Sequence, residues 1–172
     1  MKTIKILQYT ILIISSIYLS FAIYFISPSI TYAIDYNEEA NLLERANDYL
    51  SEGEVEYALQ IYDEILKLNQ TNISALNYKG LALASLGNYE EAIKMYNKVL
   101  TIDPNNLLAL NNKGVALDNI GNYEEAIKMY NKVLTIDPND IDAKHNKRLA
   151  LLSLNKTQEA NILYDQLFNN QR

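Results

Sequence analysis

The segment GNYEEAIKMYNKVLTIDPN occurs twice without a single change, at Gly87–Asn105 and again at Gly121–Asn139, an offset of 34 residues. A chain that repeats itself at such a period is built from units that cannot bury their apolar faces alone and must stack on their neighbours. Extending the period both ways gives four registers, 39–72, 73–106, 107–140 and 141–172, which account for nearly all of the chain beyond Ile34.

Each register reads as two helices. In the second, a helix is expected over Ser74–Leu86, ended by Gly87, with another from Asn88 until Asp103-Pro104-Asn105 forces a turn. Asn88 with Glu91, and Asn122 with Glu125, have the spacing of an N-cap and its capping-box partner. Glu90/Lys94 and Glu124/Lys128 are spaced to pair at i,i+4 on the outer face.

At these positions the chain resembles the tetratricopeptide repeat family. The family's small residue in the first helix is matched by Ala46, Gly80 and Gly114, and its Ala early in the second by Ala58, Ala92, Ala126 and Ala160. The aromatic four residues later is Tyr62, Tyr96, Tyr130 and Tyr164, and the terminal Pro is Pro104 and Pro138. Small residues let two helices approach, and the Tyr fills the gap above them. The first repeat departs with Gln70 for Pro; the fourth departs with Lys144, Arg148 and Asn155 for an apolar residue, the small residue and the turn Gly. The resemblance implies an all-α fold, a right-handed α-solenoid of four helical hairpins; the apolar run that precedes it is read as an N-terminal hydrophobic helix.

On a wheel of about 100° per residue, the second, fifth, ninth, twelfth and thirteenth positions of each repeat cluster opposite the packing side. In the resembled family these positions line a concave groove that holds ligands. The groove residues expected here are Asn47, Asn77, Leu81, Asn111, Asn112, Val115, Asp118, Asn119, His145, Asn146 and Leu149. They make an apolar strip of Leu81, Val115 and Leu149 beside a polar row of Asn77, Asn111 and His145, with Asn112 and Asn146 at its edge. An Asn amide both donates and accepts, so such a row suits a peptide backbone; in an Asn-rich chain it equally serves solubility. The clamp that some family members use to grip a C-terminal carboxylate needs Lys and Arg at set positions. Those positions hold Leu43, Asn47, Tyr78, Leu108 and Asn112, or, one repeat on, Asn77, Leu81, Asn112, Asp142 and Asn146, so the clamp is absent. Arg45, Lys79, Lys113 and Lys147 form a basic column on the packing side, read as snorkelling stems with their charges at the rim. Asp137–Asp140 with Asp142 lacks the Gly and distal Glu of an EF-hand and reads as an inter-repeat turn.

Ahead of the repeats, Lys2 and Lys5 are followed by an apolar run, Ile6–Ile26, then Pro28 and small residues to Ala33. Residues 1–33 have the order of a secretory signal, with Thr31-Tyr32-Ala33 as the cleavage site, or of an uncleaved anchor spanning the membrane through residues 6–26. Both readings place the repeat domain, 39–172, outside the cytoplasm, with the lysines inside. An exported chain could carry glycan on the Asn-x-Ser/Thr sequons at Asn69, Asn72 and Asn155.

Composition excludes several classes. There is no Cys and a single His, which removes thiolate and His-based catalytic or metal constellations. Nothing reads as a nucleophile–base arrangement, phosphate loop, metal cluster or cofactor site. Ten of the 21 acidic residues lie between Asp35 and Leu66 against Arg45 alone, and no basic face serves nucleic acid. The expected function is therefore non-enzymatic: a protein-interaction module binding a peptide or protein partner in the groove, the alternative being a structural or assembly subunit of a membrane or envelope complex. The last helix, near Thr157–Asn169, carries Ile162, Leu163, Tyr164, Leu167 and Phe168. With no further helix expected after it, an end face of Leu163, Leu167 and Phe168 is expected to meet a second copy or another partner.

Overall fold

The computed structural model describes residues 28–168. Eight helices and no strand are found among them: α1 (Pro28–Ser51), α2 (Val55–Leu68), α3 (Ile73–Ser85), α4 (Tyr89–Ile102), α5 (Leu107–Asn119), α6 (Tyr123–Ile136), α7 (Ile141–Ser153) and α8 (Thr157–Phe168). The apolar run 6–26 lies outside the described residues. Among the described residues no helix is long and apolar enough to cross a membrane. The chain divides into two compact units, Met1–Asn41 and Leu42–Arg172. Of the first, only the opening part of α1 is described, beginning at Pro28, where a residue without an N–H loses no helical bond.

In the second unit the helices pair as hairpins, α3 with α4, α5 with α6 and α7 with α8, and each hairpin packs on the next. The apolar residues fall into successive clusters, each spanning one hairpin and the first helix of its neighbour. Leu42, Ala46, Ala58, Ile61, Tyr62 and Ile65 are closed off by Ala75 and Ala82 of α3. Leu76, Ala92, Met95, Tyr96 and Val99 are closed off by Ala109 and Ala116 of α5. Leu110, Leu117, Ala126, Met129, Tyr130 and Val133 are closed off by Ala143 and Ala150 of α7. Burial of a side chain such as Leu76 or Leu110 stabilises by about 1.5–3 kcal/mol, and the alanines allow the close approach that achieves it.

The tyrosines at 34-residue spacing seat on the first helix of their own hairpin. Tyr62, Tyr96 and Tyr130 are fully buried, and Gly80 and Gly114 supply the room for the latter two rings. In the fourth hairpin Arg148 occupies the glycine position. Its guanidinium lies over the Tyr164 ring, 5.3 Å from the centroid, and Tyr164 is left 44 % exposed.

The helix ends differ from the sequence-based expectation. Asn88 and Asn122 precede the second helices, but neither side chain caps them. The backbone N–H of Asn88 instead donates to Leu83 O (2.9 Å) and that of Gly87 to Ala84 O (3.0 Å), closing α3 in a Schellman arrangement with Gly87 at φ +78. A turn this short commits Asn88 to the helix behind it, so the capping box does not form. Asn155 repeats the geometry at φ 58, a conformation Asn tolerates better than most residues. Side-chain caps stand at the first helices: Asn72, Asn106 and Asp140 accept from the backbone N–H groups of Ala75, Ala109 and Ala143. The ion pairs are also shifted by one residue, to Glu91–Lys94 and Glu125–Lys128 at i,i+3.

Candidate functional site

The helices α3, α5 and α7 touch in succession and present one side each to a common face. Leu81, Val115 and Leu149, at equivalent positions of the three, are all exposed, and Leu108 is half exposed beside them. These large side chains stand outside the packed clusters, so the apolar strip read from the sequence is present on the surface.

The polar row is less open than the sequence suggests. Asn77 is 4 % exposed; its Nδ2 donates to Asn106 Oδ1 at 3.3 Å, tying α3 to the cap of α5, and its Oδ1 is buried without a hydrogen-bond partner. Asn111 is half-buried and accepts from Asn146 Nδ2 at 3.4 Å, a link between α5 and α7. Asn112 is half-buried, His145 is exposed, and Asn119 donates to the Val115 carbonyl of its own helix. Asn47 accepts from the Tyr62 hydroxyl at 2.7 Å, and burial, with Tyr78 alongside, pushes that phenol up to about 12.

Asp118 stands apart. Its Oδ2 accepts a 2.6 Å hydrogen bond from the Tyr130 hydroxyl, while its Oδ1 is screened from water and has no partner. Burial raises the carboxyl above its ordinary range, with the Tyr130 bond opposing. In reply, burial and then the Asp118 contact raise the Tyr130 phenol.

The basic column lies apart from this face, as expected. Lys79 pairs with Asp63 of α2. The equivalents of Asp63 in the next two hairpins are the neutral Asn97 and Asn131. Lys113 is accordingly held below its ordinary pKa by burial and by Lys132, with Glu125 opposing. At the sequons, Asn69 Oδ1 accepts from Thr71 N and Oγ1, Asn72 is a helix cap, and Asn155 is exposed in its turn. Asp137 and Asp140 serve a turn and a cap; no group among the described residues is placed to hold a metal ion.

The end face requires a correction. Leu163 is buried in a cluster with Leu151 and Ala160, because the helical twist turns it, with Ala160 one turn earlier, onto α7. Leu167 is partly buried, and the side chain of Phe168 lies outside the described residues. Among the described residues of α8 the exposed large apolar side chains are Ile162 and Tyr164, and Arg148 covers the latter.

The sequence carries a further signal for this face. Repeats two and three are identical from Gly87/Gly121 to Asn105/Asn139, yet their first helices differ at 73/107, 74/108, 78/112, 81/115, 84/118 and 85/119. None of these twelve residues is buried. The exposed positions of α4 and α6, by contrast, have not changed at all. Of the eight differences between 73–106 and 107–140, six fall on these first helices and the other two, 86/120 and 106/140, flank them, while the second helices are untouched, so the α3–α5 side is the one that was differentiated.

The family model for the tetratricopeptide repeat matches residues 73–106 and 108–140. No curated protein matches the chain significantly. Among solved structures, MamA 41-end from Desulfovibrio magneticus RS-1 is 20 % identical with a TM-score of 0.72, the match covering 77 % of each chain. A tetratricopeptide repeat protein from Parabacteroides merdae is 22 % identical at the same TM-score, over 77 % of this chain and 52 % of that one. The first TPR of Spaghetti (RPAP3), solved bound to the HSP90 peptide SRMEEVD, is 23 % identical with a TM-score of 0.66, over 69 % of this chain and 94 % of that one. These likenesses concern the fold. With the family model on its two middle hairpins and the same architecture in solved repeat proteins, residues 73–106 and 108–140 are two consecutive tetratricopeptide repeats within an all-helical array of that fold.

Proposed function

We propose that the chain is a non-enzymatic binding module, displayed outside the cytoplasm, that holds a peptide or protein partner on the face shared by α3, α5 and α7. The observation that carries this reading is the coincidence of two independent patterns on one surface. Leu81, Val115 and Leu149 leave a row of apolar area wet, which forgoes roughly 25 cal/mol per Å², and six of the eight differences between repeats two and three fall on the same helices. Exposed apolar rows of this kind mark interaction sites. The fold is a typically non-catalytic interaction scaffold, and a related fold in RPAP3 was solved with a peptide bound. Display outside the cytoplasm rests on Lys2, Lys5 and the apolar run Ile6–Ile26.

Affinity purification from detergent-solubilised membranes, run in parallel with the full chain and its Val115→Asp/Leu149→Asp variant, tests the binding reading. A partner retained by the first and lost from the second is expected; identical captures would overturn the assignment of the face. Intact mass and fractionation test the display. A product beginning at Ile34, or a full-length product in the membrane fraction, is expected, and a full-length chain in the cytosolic fraction contradicts it.

A further inference from the structure

The face described above has a chemical preference that the apolar strip alone does not set. Where repeats two and three differ on their first helices, every exchange but one is between neutral residues; the exception puts Asp118 where repeat two has Ala84. The corresponding residues of the outer repeats are Leu50 and Leu152, so a carboxylate occurs here once in four copies.

A packing role does not account for it. Asp118 accepts the hydroxyl of Tyr130, but Tyr96, opposite Ala84, is equally buried without a carboxylate there. Half-burying a charged group to hold a side chain that seats without it is unfavourable. The cost is compounded because Oδ1 has no partner within the fold and Asp118 forms no ion pair among the described residues. Asp118 is nevertheless partly exposed, so with Oδ1 screened from water and Oδ2 fixed by Tyr130 the carboxylate sets a localised negative charge on this side of α5, which attracts a cation supplied from outside. Asp118 lies one helical turn beyond Val115, on the same side of α5, at the middle of the strip. Asp142 is exposed on α7, and none of the expected groove residues is Lys or Arg. The face therefore joins apolar contact to negative charge only.

We propose that the partner segment held on α3, α5 and α7 carries a Lys or Arg side chain that pairs with Asp118, set between apolar side chains that cover Leu81, Val115 and Leu149. Packed helices stand about 8–10 Å apart and an extended chain advances about 3.3 Å per residue, so contacts on successive helices come from partner residues roughly three apart, with the basic residue near the centre. Segments rich in Asp or Glu are rejected by the same face. This rests on the binding reading above and names the chemistry it selects.

The test is a random dodecapeptide display library panned on the full chain, on Asp118→Ala, on Asp118→Asn and on Val115→Asp/Leu149→Asp, each checked for unchanged helicity. The alanine variant copies repeat two, and the asparagine variant keeps an acceptor for Tyr130. Peptides enriched in one basic residue flanked by apolar ones are expected. Their affinity should fall at least about tenfold in both Asp118 variants, and replacing the basic residue by norleucine should cost the wild type the same factor and the variants nothing. Peptides that need Val115 and Leu149 but show no basic preference, or bind the Asp118 variants equally, would overturn this inference and leave the binding face standing. Failure to select any peptide sensitive to Val115 and Leu149 would overturn both.

Discussion

A Cβ placed on Gly80 would stand 2.5 Å from Cε1 of Tyr96. In this hairpin the glycine and the ring are fitted to each other, so an added methyl makes the ring shift, and Gly114 and Tyr130 repeat the relationship one hairpin on. Gly80→Ala or Gly114→Ala is expected to overpack the hairpin by about 1–3 kcal/mol, only partly offset by alanine's better helix propensity of roughly 1 kcal/mol. Urea denaturation should show a net loss, and a variant as stable as the parent would contradict the close fit.

The fourth hairpin offers the converse experiment. Ala46 occupies the same position in the first repeat, and Tyr62 is still fully buried against that cluster. Arg148→Ala should let Tyr164 seat in the same way, exchanging a cation–π contact of about 0.5–1 kcal/mol for burial of a larger apolar area. A gain on the order of 1 kcal/mol in urea is expected, and a loss would mean that Arg148 is the better cover.

Alkaline pH should open the fold through its tyrosines. Burial raises the Tyr62 phenol to about 12 and raises Tyr96 and Tyr130 as well, against an unfolded value near 10. A raised folded pKa means that the stability is fully present below pH 10 and is lost as the pH climbs through the folded value. Of the 14 tyrosines, the three fully buried ones should stay protonated until unfolding, so a phenolate absorbance titration should show a late step coincident with loss of helicity. A single step near the ordinary pKa, with helicity intact, would contradict this.

Asp118 makes the opposite contribution at neutral pH. Burial raises its carboxyl, so the charged form weighs against the fold above that raised value and the penalty fades as the pH falls through it. Asp118→Ala should stabilise the neutral protein by on the order of 1 kcal/mol, the cost of an unpaired buried oxygen less the lost Tyr130 bond. Thermal melts should show the gain shrink in acid; a gain that grows in acid would reverse the sign.

Asn111→Ala with Asn112→Ala removes the half-buried amides of the α5 face while sparing the apolar clusters. Partner affinity should fall by about tenfold at unchanged helicity. The Asn146 link is lost with them, so Asn146→Ala alone serves as control and should bind nearly normally.

The 34-residue period was legible because Gly80, Ala92 and Tyr96, with Gly114, Ala126 and Tyr130, serve one packing geometry. The apolar strip was legible for the same reason: Leu81, Val115 and Leu149 share a helical face that the alanines do not. What the sequence concealed depends on neighbours that no local spacing specifies. Asn88 matches a capping box, but its backbone is taken by α3. Asn77 shares its repeat position with Asn111, yet Asn77 reaches the capping Asn106 whereas Asn111 is linked to Asn146. Leu163 looked like surface until α8 was rotated onto α7.

The identity of Gly87–Asn105 and Gly121–Asn139 also sets how the array can change length. Excising residues 87–120 would join Leu86 to Gly121 and leave α3 followed by α6, a helix with the same sequence as the α4 it replaces. The α3 hairpin would close on the same side chains, and the α6–α7 interface would be inherited intact. The junction would carry no foreign residue, and the one new adjacency would be α3 beside α7. Such a chain could lose or gain a reading helix between generations without having to invent an interface to support it.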